Sequence, residues 1–249
     1  MTTTTSPTSL PERVAPDAGP VVSTRALSKV YRQGKIEVHA LRAVDLDVAR
    51  GEFTVLAGPS GCGKSTLLNL IGALDQPTEG RVEVAGEHVS TLGRSAAARF
   101  RLAHVGFVFQ AYNLVPVLTA YENAEYTLLL AGTPKEERRA RVVPLLERVG
   151  LGDVLDRKPH ELSGGQQQRV AVVRAIASRP DLVLADEPTA NLDSATSNNL
   201  LELMEELNRE RGTTFVFASH DTDLIARARR VVRLVDGRIV GDERRDAEA

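Results

Sequence analysis

Short apolar runs recur along the chain at EFTVLA (52–57), VGFVFQ (105–110), LVLAD (182–186) and TTFVFAS (213–219). They are too short for helices and rich in β-branched and aromatic residues, so each predicts a buried strand. Helical spacing of apolar residues appears instead in TLLNLIGAL (66–74), SAAARFRLAH (95–104), QQQRVAVVRAIAS (166–178) and NLLELMEELNRE (199–210). The last of these lies between two strands and predicts a parallel pair joined by a crossover helix. The opening differs. VVSTRAL and LRAVDLDV predict antiparallel strands, GRVEVAG later in the chain a further short strand, and RVVRLVDGRIVG (230–241) a hairpin turned at Asp236-Gly237, with its arginines on a solvated face.

The segment from Tyr112 to Glu161 reads as a helical insertion in an α/β domain. Thr133-Pro134-Lys135-Glu136 has the form of a capping box, with Thr133 as N-cap, opening a helix that runs to Val149 and stops at Gly150.

Composition bounds the picture. A chain of 249 residues makes one domain, or one domain with a subdomain. A net charge of −2 gives no bulk attraction to nucleic acid, and none is expected as a partner. One cysteine excludes a disulfide framework within the chain and fits a reducing compartment. No apolar run approaches the roughly 18 residues a bilayer span needs. Residues 1–20, with four consecutive threonines and several prolines but no apolar segment, read as a disordered tail and not a targeting sequence.

The chemistry starts at GPSGCGKST, made of Gly58, Pro59, Ser60, Gly61, Cys62, Gly63, Lys64, Ser65 and Thr66. It joins a predicted strand to a predicted helix. Glycines there let successive amides curl into a nest, and the helix adds the positive end of its dipole. The result is a phosphate cradle, in which Lys64 is placed for the β- and γ-phosphates and the Ser65 hydroxyl for Mg²⁺. Cys62 sits inside this nest, where a maleimide on its thiol is expected to displace the β-phosphate.

Three further strand ends carry polar residues. Asp186 and Glu187 close LVLAD-E, with Asp186 assigned to Mg²⁺ through water and Glu187 to the attacking water as base or positioner. His220 ends the next strand and is read as a contact to the γ-phosphate or the water. Gln110 follows VGFVF and is read as a contact to Mg²⁺ or the water. Tyr31, in the basic aromatic stretch KVYRQGK, either stacks on adenine or packs in the core.

A second anion site lies in LSGGQQQR. Ser163 reads as an N-cap, with Gly164 and Gly165 exposing the first amides of the following helix and Gln166 beside them. The helical insertion carries this site away from Gly58, so one nucleotide within one copy does not explain both. A second copy, related by a two-fold axis, brings Ser163 over the first copy's ATP.

Taken together, the chain resembles the ATP-binding subunits of ABC transporters. The residues that carry the resemblance are Tyr31 (aromatic loop), Gly58 to Thr66 (Walker A), Gln110 (Q-loop), Ser163 to Gln166 (signature), Leu182 to Asp186 with Glu187 (Walker B and catalytic glutamate), Asn191 to Asp193 (D-loop) and His220 (switch histidine). The resemblance implies an α/β P-loop NTPase fold over 21–249, with a RecA-like parallel sheet core, an antiparallel β subdomain and a helical subdomain over roughly 111–178. It also implies an ATP hydrolase using ATP and Mg²⁺, a head-to-tail homodimer, and a peripheral place on the cytoplasmic face of the inner or plasma membrane beside a separate permease.

Within the family, VFQAYNLVPVLTAYENAEYTLLLAG and EPTANLD most resemble the macrolide-export and lipoprotein-releasing group. Its subunits act with a membrane protein that has a large extracytoplasmic domain. Departures from the group's usual residues occur at Tyr126, Thr127 and Ala190. A cell-division relative, whose ATPase drives a membrane protein without moving cargo, is the alternative reading. In the family, the groove beside the Q-loop receives a permease helix, and the matching surface here includes Tyr112, Asn113, Leu114 and Val115.

Overall fold

The computed structural model describes residues 19–34, 36–190 and 192–245. Almost all of the predicted N-terminal tail, and Asn191 of the D-loop stretch, lie outside the described residues.

The strands that read as continuous apolar runs form the centre of the molecule. β3 (Phe53–Ala57), β6 (Val105–Val108), β7 (Leu182–Asp186) and β8 (Thr214–Ser219) run parallel, and β9 (Arg230–Val235) and β10 (Arg238–Arg244) extend the sheet to the order β10-β9-β3-β8-β7-β6. Both faces of this sheet are covered, which is why its strands are apolar without alternation. Phe53, Val55, Phe215 and Phe217 face one core, while Leu56, Leu184, Val216 and Val232 face the other.

The second core is closed by α1 (Lys64–Ile71), α2 (Arg94–His104) and a four-stranded antiparallel sheet of order β2-β1-β4-β5. Its strands are β1 (Val22–Gln33), β2 (Ile36–Val48), β4 (Glu79–Val84) and β5 (Glu87–His88). β1 and β2 are the antiparallel opening that the sequence predicts, and the short strand read at GRVEVAG joins them as β4. The first core is closed by α3 (Ala120–Leu130), α4 (Lys135–Arg148), α5 (Gly164–Ile176), α6 (Ser194–Arg211) and α7 (Thr222–Arg227). No helix among the described residues is long and apolar enough to cross a membrane.

Two local expectations are corrected. The N-cap of α4 is Pro134, with no side-chain cap: the helix begins at Lys135, which sets Thr133 one residue before the cap position and its hydroxyl out of register with the N2 and N3 amides. A full capping box stands instead one helix earlier, where Thr119 caps α3 and Glu122 returns the bond. In the β9–β10 hairpin the turn is as read, with Asp236 and Gly237 both left-handed. Arg230 is nevertheless buried. It forks onto Asp242, pairs with Glu52 and donates to the Asp47 carbonyl, so this arginine ties the two sheets together. Only paired in this way does a buried guanidinium recover its desolvation cost.

Candidate nucleotide site

Four parallel strands, β3, β8, β7 and β6, release their chains at the same edge of the sheet. Open α/β sheets bind ligands at this carboxyl edge. β3 runs into the loop of residues 58–63, and Gly63, left-handed at φ 108°, is the N-cap of α1. A Cβ at Gly63 would lie 2.4 Å from the Ala40 carbonyl, and one at Gly58 2.2 Å from the Leu234 carbonyl. Neither position tolerates a side chain. The tight curl leaves the first amides of α1 without partners inside the helix, at the positive end of its dipole.

Lys64 is 7% exposed, and its ammonium donates to the Gly58 and Pro59 carbonyls at 2.7 and 3.1 Å, so it spans the loop it belongs to. Pro59, Ser60 and Gly61 form the exposed rim. The Ser65 hydroxyl donates to Asp186 Oδ1 at 3.0 Å, which joins the start of α1 to the end of β7. Burial pushes the Asp186 carboxyl up, and the neighbouring Glu187 charge adds to this, while Ser65 and Lys64 oppose it. A hydroxyl and a carboxylate facing one another make an oxygen donor set of the kind a hard divalent cation takes.

Glu187 turns the other way. Its backbone is left-handed at φ 45° and its amide bonds the Ala218 carbonyl, so the two adjacent carboxylates diverge as the sequence requires. A non-glycine residue held in this region stores strain, and such strain concentrates at functional sites. Glu187 accepts from the Ser219 hydroxyl at 2.9 Å and lies 2.7 Å from His220 Nδ1. Ser219 was not among the predicted site residues. The signal for it was the polar residue at the close of an otherwise apolar strand.

Gln110 is exposed, two residues past the end of β6. Tyr31 is on the exterior of β1 and not in the core. Its hydroxyl donates to Asp75 at 2.9 Å, the Lys29 ammonium covers the ring at 4.8 Å, and burial with the Asp75 contact raises the phenol's pKa.

Ser163 caps α5, accepting from the Gln166 amide at 3.3 Å, while the Gln166 side chain accepts from the Ser163 amide at 2.9 Å. Gln166 thus closes the cap, and Gly164 and Gly165 are left to present the leading amides. Their neighbourhood is separate from that of the first loop. Gly165 lies against Thr196 and Leu192, whereas Gly58 and Gly63 lie against Leu234, Ala40 and Leu41. Asp193, capping α6 through Thr196, stands beside it.

Cys62 is placed differently from expectation. Its side chain is 3% exposed and belongs to the core beneath the antiparallel sheet, so only its backbone can serve the nest. The thiol is therefore expected to react slowly with maleimide whether or not MgATP is present. A single thiol per chain, timed with a chromogenic disulfide reagent, checks this; rapid labelling that MgATP suppresses would restore the exposed thiol.

A family model described as "ABC transporter" matches residues 41–190. This chain belongs to the ABC transporter ATP-binding family. The ABC ATPase is 49% identical, over 91% of its own length and 95% of the relative's, to a protein named lipoprotein-releasing system ATP-binding protein LolD from Anaeromyxobacter dehalogenans. It is 45% identical to a macrolide export ATP-binding/permease protein MacB from Hyphomonas neptunium, matching 90% of its own length and 34% of that longer protein. Among solved structures it resembles the ATP-binding cassette MJ0796, a dimer in a post-hydrolysis state bound to ADP and Pi, with a TM-score of 0.85 and 40% identity over 91% of this chain and 100% of that one. The chain is thus an ABC ATPase, an ATP-binding and hydrolysing transporter subunit with the expected α/β fold.

Proposed function

We propose that two copies of this ABC ATPase close head to tail around two molecules of ATP, each held by residues 58–66 and Tyr31 of one copy and by Ser163, Gly164 and Gly165 of the other. The observation that carries this reading is the separation of the two amide nests, each with its own neighbours. The dimeric form of the MJ0796 cassette supports it.

Ser65 and Asp186 are the residues that would hold Mg²⁺, with Gln110 completing the set. Bound there, the cation would neutralise phosphate charge as the reaction proceeds. Glu187 orients the attacking water and takes its proton as the water oxygen bonds to the γ-phosphorus and the bond to the β-phosphate oxygen breaks, giving ADP and inorganic phosphate. His220 and Ser219 fix the Glu187 carboxylate so that no reorientation is needed at the moment of reaction.

The working unit is a peripheral subunit at the cytoplasmic face of the membrane, paired with a permease of the export or lipoprotein-release type that carries an extracytoplasmic domain. Its ATPase body spans 21–249, and the all-helical stretch within roughly 111–178 is the subdomain that meets the permease. The docking surface expected at residues 112–115 extends to Val117. Leu114 packs on the core, the Val115 backbone is held by both ends of the Asn123 carboxamide while Val115 itself stays half-buried, and Val117 is 72% exposed. Val117→Asp is expected to leave basal ATPase unchanged and to abolish stimulation by the membrane protein that copurifies with the chain. Binding of that protein with undiminished affinity would move the docking surface elsewhere.

A further inference from the structure

Helix α5 is fastened to the turn after Gln110 by one side chain. Arg174 Nη1 donates to the Asn113 carbonyl at 2.6 Å and Nη2 to the Tyr112 carbonyl at 2.8 Å. Both accepting residues are left-handed, Tyr112 at φ 57° and Asn113 at φ 49°. Two successive non-glycine residues adopt this conformation only where the surroundings hold them, and a planar guanidinium fork aimed at both carbonyls is such a holder. The base of the clasp is rigid. A Cβ at Gly106 of β6 would lie 2.2 Å from the Ala175 carbonyl, so α5 touches the backbone of the strand that leads to Gln110. Thr127 of α3 donates to the Arg174 carbonyl from the other side.

An arginine in the last turn of a helix often complements the helix dipole. Here the guanidinium reaches a different element, 61 and 62 residues away in sequence. Being backbone groups, the two acceptors report the conformation of the turn and not the identity of its side chains.

We propose that Arg174 is a positioning residue for ATP hydrolysis: it locks the turn after Gln110 onto the signature helix, so that Gln110 and the Ser163 end of α5 move as one body. The proposal rests on the reading of Gln110 as a contact to Mg²⁺ or the water, and it adds the physical link from that contact to the nest serving the other nucleotide. A residue that only stabilised the fold would change melting temperature, ATP affinity and turnover together. A positioning residue separates them.

The test uses the full chain with Arg174→Ala and Arg174→Lys, measuring melting temperature, affinity for a fluorescent ATP analogue, kcat, and deuterium uptake of the peptide covering 109–118. Arg174→Ala is expected to lower kcat about 3- to 30-fold, the range of coupling through such a link, with ATP affinity near native and faster uptake over 109–118. Arg174→Lys, which offers a point charge in place of the fork, is expected to recover part of the rate. Native kcat in folded Arg174→Ala, or a loss of kcat matched by the loss of ATP affinity, overturns the proposal. Should Arg174→Ala not fold, Arg174→Lys decides: full turnover with faster uptake at 109–118 overturns it, and reduced turnover at native ATP affinity supports it. Gln110→Ala is the control for the reading beneath, since native turnover in that variant removes the role of Gln110 while the exchange and rate data still report on the clasp.

Discussion

Glu187→Gln is expected to slow ATP hydrolysis roughly 10²- to 10⁴-fold, the usual contribution of a positioned general base, while ATP affinity stays near native. The amide keeps the size of the carboxylate and can still meet the Ser219 hydroxyl and His220, which hold Glu187 now at 2.9 and 2.7 Å. What it loses is the capacity to take a proton. Single-turnover hydrolysis alongside nucleotide binding checks the separation, since a variant that lost affinity and rate in equal measure would mark Glu187 as a structural support of the loop.

Lys64→Ala is expected to fail at the earlier step. A hydrogen bond from a charged donor contributes about 1.5–3 kcal/mol, so loss of the ammonium should weaken ATP binding roughly 10- to 150-fold. The same substitution leaves the Gly58 and Pro59 carbonyls without their present donor, so the loop itself should loosen. Titration with a fluorescent nucleotide, and melting with and without MgATP, distinguish the two effects. Retained affinity would mean that the lysine serves only to brace the loop.

The parts of the fold legible in the sequence are those set by local pattern. Continuous apolar runs marked the parallel strands because those strands are buried on both faces, and the Asp236-Gly237 pair marked a turn that needs two left-handed residues. The Ser163 cap was legible because a capping box is written within four residues. The misread features all depend on what lies across the molecule. Cys62 sits in a glycine-rich loop, but its side chain points down into the core under the antiparallel sheet. Arg230 reads as part of a solvated arginine face, but Glu52, just before β3, and Asp242 of β10 enclose it. The Arg174 clasp is illegible in the sequence for the same reason. The arginine's position in an amphipathic helix carries no sign of the Tyr112 and Asn113 carbonyls.

The shared nucleotide site is tested most directly by the mass of Glu187→Gln in solution. By light scattering after size exclusion with saturating ATP, the variant is expected to run at twice the mass of one chain, to return to one chain when ADP replaces ATP, and to stay at one chain once Ser163→Arg is added. A Glu187→Gln protein that binds ATP yet remains a single chain, or a dimer that persists unchanged in the Ser163→Arg background, would contradict a nucleotide held between the loop of residues 58–66 and the Ser163 cap of a second copy.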